Sequence, residues 1–166
     1  MEAYDETEGY VNSGLQRYPQ EPFFVVKRAA ALYRDKRYTE GIDLLTPWAE
    51  SLSGNKEIVQ AYSAHAQGKA EAQLKEKQTS QALATVDKAL SLDAANPELW
   101  NLKGRIQEQA GDYQGAYRSY VRYTPPVWQE AEYRQMLKGV QRKGYRNRLE
   151  TDLLLGWYAD GGRSNT

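Results

Sequence analysis

Short apolar stretches, each separated from the next by turn residues, recur along the chain with a period of about 34 residues. The stretch around Ala82 is followed, one period later, by a stretch around Ala116 that comes just after the turn Gly111–Tyr113. This period is the length of one helix–turn–helix unit, which cannot bury its apolar face alone and stacks on copies of itself. The pattern therefore predicts stacked helix pairs, which form an extended binding surface rather than a catalytic pocket.

The same register extends over most of the chain. Pro22 aligns with Pro97 and Tyr38 with Tyr113, and in each case two periods and seven additional residues separate the pair. Because of these seven residues, we expect a longer connection within Thr46–Lys56, which contains Pro and Gly. The register predicts an all-α fold with helices over residues 2–17, 22–35, 38–52, 57–76, 79–92, 97–110, 113–123 and 127–143, the last beginning near Trp128.

The clearest unit runs from Pro97 to about Tyr123. Its characteristic residues are Trp100, Gly104, the turn Gly111–Tyr113, Ala116 and Tyr120. In this order and spacing they resemble the tetratricopeptide repeat (TPR) family. The resemblance implies a right-handed superhelix of antiparallel helix pairs, with about three full units and partial units at both ends.

Small and large residues of this unit have distinct expected roles. We expect Gly104 and Ala116 to face each other where two helices approach closely, and Trp100 to be mostly buried between units. Three positions depart from the family pattern, since Lys103 stands where Leu is usual, and Gln107 and Tyr123 replace an aromatic residue and Ala.

The resemblance also implies a binding surface. In TPR proteins the first helix of each unit lines a concave groove. The corresponding residues in this chain are Phe23, Val26, Ala30 and Tyr33, then Ala64, Gln67, Glu71 and Leu74, then Glu98, Asn101, Arg105 and Glu108, and finally Tyr133, Met136, Val140 and Lys143. From these positions, and from Arg34 beside Tyr33, we expect a protein or peptide partner to contact Tyr33, Arg34, Leu74, Asn101, Arg105 and Glu108.

Composition argues against several other functions. The chain has 22 basic and 22 acidic residues, so no large positive field is expected to attract nucleic acid. It has no Cys and only one His, His65, and no nucleophile motif or metal-ligand spacing accompanies that residue. We therefore expect no enzyme activity, no catalytic residue, no metal and no cofactor. The start, Met1–Glu6, is acidic where a signal peptide needs basic residues, and no apolar run is long enough to span a membrane as a helix.

The C-terminal segment admits two interpretations. We divide the chain into a helical repeat domain over residues 1–145 and a tail over residues 146–166. Alternation between Leu149 and Tyr158 favours a strand, and a chain with such an end resembles the periplasmic TPR arm of a bacterial outer-membrane β-barrel protein, cut at its first strand. Leu149, Leu153 and Trp157 also fit the stripe of a helix that caps the last repeat. The barrel interpretation implies a periplasmic location and a membrane contact only through a following barrel; the other implies a free cytoplasmic adaptor.

Overall fold

The computed structural model describes the backbone of residues 2–18, 21–123 and 129–161, and the side chains of residues 9–18, 21–123 and 129–149. The regular elements of this described backbone are helices, and it contains no strand, which confirms the predicted all-α fold. Each helix packs on the next one along the chain, and α4 also packs on both α2 and α6. The helices are α1 Glu2–Arg17, α2 Pro22–Arg34, α3 Tyr38–Ser51, α4 Lys56–Lys75, α5 Thr79–Leu92, α6 Pro97–Gln109, α7 Tyr113–Tyr120 and α8 Glu130–Gly161.

The seven additional residues lie in a helix, not in a connection. The connections 52–55 and 93–96, which precede α4 and α6, have the same length, and Pro47 lies inside α3. Instead α4 has 20 residues where α2 and α6 each have 13. Seven residues make about two helical turns, so the insertion lengthens α4 without rotating its buried face. The expected long connection within Thr46–Lys56 is therefore wrong.

The turns that close the first helices repeat with the predicted register. Lys36, Lys77 and Gly111 follow α2, α4 and α6 and have positive φ angles of 58°, 61° and 82°. After each of them the next backbone N–H donates to a carbonyl five residues earlier, at 2.8, 2.8 and 2.9 Å. This hydrogen bond, which spans the left-handed residue, is the usual way to end a helix and reverse the chain.

Among the described side chains, two clusters of apolar residues form the core. The larger cluster joins α2 to α6 and includes Val25, Leu45, Ile58 and Ile106. The smaller one joins α7 to α8 through Ala116, Tyr120 and Val140. Since each cluster lies between neighbouring helices, no helix could bury its apolar face alone, as the repeat period predicts.

The ring of Tyr120, not Ala116, occupies the space beside Gly104. A Cβ built on Gly104 would lie 2.6 Å from two ring atoms of Tyr120, and its three nearest atoms all belong to that ring. Gly104 therefore permits close packing, as expected, but the side chain it accommodates is a different one. Ala116 itself is fully buried.

The last helix is longer than predicted. α8 runs without interruption from Glu130 to Gly161, past residue 143 where we expected a helix to end and past Gly144 where we expected the helical spacing to stop. Residues 149–158 are therefore helical, which agrees with the helical alternative and not with a strand. A helix satisfies its own backbone hydrogen bonds, whereas a lone strand would leave its own unpaired. Trp128 lies outside the described residues.

Among the helices of the described chain, none combines the length and the apolar character needed to cross a membrane.

Candidate partner-binding surfaces

Side chains at equivalent positions of successive units lie next to each other. Arg105 of α6 forms an ion pair of 3.5 Å with Glu71 of α4, 34 residues earlier. Lys143 of α8 donates to Glu108 of α6 at 2.7 Å across 35 residues. Equivalent residues of α4, α6 and α8 therefore lie next to each other in matching register.

A cavity of about 300 Å³ lies on this surface. We call it the groove cavity, and its lining residues are Leu74, Arg105, Glu108, Gln109 and Tyr120. Three of the six residues predicted to contact a partner are thus brought together. Leu74 contributes little of its side chain because it is only 8% exposed, and its carbonyl oxygen accepts a hydrogen bond of 3.3 Å from the Gln109 amide.

Glu108 is the most connected residue of the groove cavity. One carboxylate oxygen accepts from the Tyr120 hydroxyl at 3.1 Å and the other from Lys143. Its hydrogen bond raises the pKa of Lys143. The pKa of Tyr120 is raised chiefly by burial and further by the adjacent carboxylate. Tyr120 and Lys143 therefore both stay protonated, and each donates a hydrogen bond to Glu108.

The other three predicted contact residues lie outside the groove cavity. Tyr33 is 44% exposed, and its ring packs edge-on against Tyr38 and His65 at centroid distances of 5.4 Å each. Arg34 forms an exposed ion pair of 3.3 Å with its neighbour Asp35. Asn101 is half-buried. The predicted surface is therefore divided into a cavity between α4 and α6 and an exposed aromatic residue one unit earlier.

His65 is a packing residue at the junction of α2, α3 and α4. It is 1% exposed, and its Nε2 lies 2.9 Å from the carbonyl oxygen of Ala29. A Cβ on Gly41 would lie 2.1 Å from the imidazole ring, so glycine leaves the space that the ring fills. Burial lowers the pKa of His65, because a charged imidazolium is poorly solvated there.

A second cavity, of about 270 Å³, lies between α7 and α8 and was not anticipated from the sequence. We call it the α7–α8 cleft. Its lining residues are Tyr113, Gln114, Tyr117, Arg118, Gln141, Gly144, Tyr145 and Arg148. The sequence carried at most a weak signal for it: residues 133–149 contain six Lys or Arg and no acid, but of these six only Arg148 lines the cleft.

Trp100 is less buried than expected. Its side chain is half-buried, and its indole Nε1 donates to the carbonyl oxygen of Ala94 at 2.8 Å. The guanidinium carbon of Arg122 lies 4.4 Å from the ring centre, and the ammonium nitrogen of Lys103 lies 5.4 Å from it. The indole thus packs on the core with one side and meets cations with the other.

Comparison with known proteins gives no assignment. No protein-family model matches the chain, and no curated protein matches it. Within the part of the chain that the structure describes, no group of three or more His, Cys, Asp or Glu side chains is placed to hold a metal ion.

Proposed function

We propose that this chain is a protein-interaction module, a TPR-like right-handed superhelix that binds a segment of a partner protein along the first helices of its units. The observation that supports the proposal is the alignment of equivalent residues across units. Ion pairs connect Glu71 with Arg105 and Glu108 with Lys143. Arg105 and Glu108, one from each pair, line the groove cavity. An extended segment has the same repeating geometry and can contact several units at once.

The groove cavity offers the mixture of groups that a peptide segment needs. Arg105 supplies a cation, Gln109 an amide and Glu108 a carboxylate, and the largely buried Leu74 and Tyr120 form the floor of the cavity. The ion pair between Arg105 and Glu71 is long, at 3.5 Å, and both side chains are substantially exposed. Exposed pairs contribute little to stability, so Arg105 can exchange Glu71 for a partner carboxylate at small cost.

Tyr33 extends this surface toward α2. It is the aromatic residue among the six predicted contact residues, and its position is fixed by packing against Tyr38 and His65. Tyr and Arg are the residue types most often found at the energetic centres of interfaces, and a ring already held in place loses little entropy on binding. We therefore place the two main contacts at Tyr33 and Arg105.

Selection from a displayed random-peptide library on the immobilised chain tests the proposal. The enriched peptides are then titrated against the chain and against a double variant, Tyr33→Ala with Arg105→Ala. We expect the double variant to weaken binding by at least about 2 kcal/mol, roughly thirtyfold in Kd. The melting temperature should fall only modestly, because Arg105 is substantially exposed and Tyr33 loses only its edge-on contacts with Tyr38 and His65.

A matched control separates the groove from the α7–α8 cleft. The double variant Tyr145→Ala with Arg118→Ala also removes one exposed Tyr and one exposed Arg, but from the cleft. Groove binding requires that the enriched peptides include some that lose affinity for the Tyr33 and Arg105 double variant and bind this control as they bind the unchanged chain. Equal binding of every enriched peptide by the Tyr33 and Arg105 double variant, or a failure to enrich any peptide, would overturn the proposal.

A further inference from the structure

The α7–α8 cleft combines aromatic and cationic side chains on one surface. Tyr113 and Tyr117 of α7 are half-buried, whereas Tyr145 of α8 is 60% exposed. Gly144 lies between them, where a Cβ would be 3.4 Å from the Cβ of Tyr113. The two helices therefore approach closely at Gly144, and all three tyrosines line the cleft.

The charged residues that line the cleft are both basic. Arg118 of α7 and Arg148 of α8 line it from opposite sides, both are exposed, and neither forms an ion pair with a described side chain. No acidic residue is among the described residues that line the cleft. The acidic residue that immediately precedes α7, Asp112, is already engaged because it caps that helix by accepting from the backbone N–H of Gly115 at 2.8 Å.

This arrangement contrasts with the groove cavity. There the cations of the first helices are paired with Glu71 and Glu108. In the cleft two guanidinium groups face solvent without a carboxylate partner among the described side chains, and a ligand that supplies carboxylates would complete both pairs. Arginine favours such ligands because its planar group can donate two parallel hydrogen bonds to one carboxylate.

Two amide side chains in the cleft favour a ligand with a peptide backbone. Gln114 and Gln141 line the cleft from α7 and α8 and each offer donors and an acceptor, which match the N–H and C=O groups of a peptide backbone. A nucleic-acid strand would also meet cations and rings here. It would gain less from the chain as a whole, because the 22 basic residues are balanced by 22 acidic ones and give no extended positive surface.

We propose that the α7–α8 cleft is a second binding site, which takes an acidic peptide segment of a partner protein. Arg118 and Arg148 bind its carboxylates, the three tyrosine rings pack on its apolar side chains, and Gln114 and Gln141 hydrogen-bond its backbone. The site is separate from the groove and does not depend on the function proposed for it.

Fluorescence polarisation with a labelled peptide of alternating Glu and Leu tests this site. The double variant Arg118→Glu with Arg148→Glu should weaken binding of that probe at least about tenfold, because two attractive contacts become repulsive. The double variant Tyr117→Ala with Tyr145→Ala should also weaken it, by about threefold or more. A peptide of alternating Gln and Leu should bind much more weakly to the unchanged chain.

Three comparisons make the result decisive. The double variant Lys138→Glu with Arg142→Glu makes the same charge change on the exposed surface of α8 outside the cleft, and an equal loss there would show unspecific attraction and overturn the proposal. Tighter binding of labelled oligo-dT through Arg118 and Arg148 would overturn it in favour of nucleic acid. The double variant Tyr33→Ala with Arg105→Ala should leave binding of the Glu and Leu peptide unchanged, whatever it does in the groove.

Discussion

Lys77 and Gly111, one repeat period apart, have the same left-handed backbone at the point where α4 and α6 end. Their φ angles are 61° and 82°, and their N–H groups donate to the carbonyl oxygens of Leu74 and Glu108 at 3.0 and 3.1 Å. Glycine adopts this conformation without strain, whereas a residue with a Cβ does not. The same turn is therefore built with the favoured residue after α6 and without it after α4, as also after α2.

Replacing Lys77 by Gly should stabilise the protein. Relief of the left-handed strain exceeds the greater entropy of glycine in the unfolded chain, so we expect the free energy of unfolding to rise by about 0.5–1 kcal/mol. Urea denaturation measures the difference. The converse change, Gly111→Ala, should lower stability by about 1 kcal/mol, and since a Cβ at Gly111 would meet no atom within 4 Å, that loss reports the backbone alone. A destabilised Lys77→Gly variant would contradict the argument.

Gly104 and Gly139 occupy the same repeat position, but only Gly104 has a ring beside it. In Gly104→Ala the new methyl group would meet the Tyr120 ring, whose hydroxyl donates to Glu108 and whose backbone carbonyl accepts from the Tyr133 hydroxyl. We expect this overpacking to cost about 1–3 kcal/mol. Gly139→Ala meets nothing within 4 Å inside α8 and should be neutral or stabilising by up to about 1 kcal/mol. Chemical denaturation of both variants checks the contrast, and equal effects would show that Tyr120 does not fill the site.

Most helix boundaries could be predicted from the sequence because turn residues and small residues recur with the period of about 34 residues. Two departures from the family pattern acquire a physical reason only in the structure. Lys103, where Leu is usual, forms an ion pair of 2.7 Å with Asp87. Gln107, where an aromatic residue is usual, is buried and accepts a hydrogen bond of 2.6 Å from the Ser119 hydroxyl. Such partners are distant in sequence, and a repeat pattern does not reveal them.

The length of α4 and the secondary structure of the C-terminal segment were harder to predict. Seven additional residues fit a loop or two helical turns equally well, and the Pro and Gly near residue 50 favoured the loop. Residues 149–158 fit both a period of 2 and a period of 3.6, so hydrophobic pattern alone cannot distinguish strand from helix there. The α7–α8 cleft was missed because it depends on α8 continuing past Gly144 to present Tyr145 and Arg148.

Stability should fall on mild acidification because of His65. Burial holds the pKa of this imidazole below its ordinary value of 6.5. As the pH falls below about 6.5, the unfolded chain binds a proton that the folded chain does not, so the folded state loses stability until the pH reaches the folded pKa. Above that window His65 is neutral in both states and contributes no pH dependence.

Thermal melts between about pH 5 and pH 7.5 measure this effect, since ordinary carboxyl groups titrate below that range. Glu40 titrates lower still, because its hydrogen bond with Arg37 lowers its pKa. The control variant His65→Gln keeps an N–H donor for the Ala29 carbonyl but cannot be charged, and its melting temperature should stay flat across the range. An equally steep fall in that variant would assign the pH dependence to another group.

The contact between Trp100 and Arg122 predicts a measurable coupling. Because the indole is half-buried, Trp100→Ala should cost about 2 kcal/mol, less than the roughly 3–5 kcal/mol typical of a fully buried aromatic residue. The guanidinium carbon of Arg122 lies 4.4 Å from the ring centre at an exposed site, where a cation–π contact contributes about 0.5–1 kcal/mol. Denaturation of both single variants to Ala and of the double variant isolates that coupling in a double-mutant cycle. Additive losses would show that the two groups do not interact, and a loss of about 3–5 kcal/mol in Trp100→Ala alone would place the indole deeper in the core than the structure does.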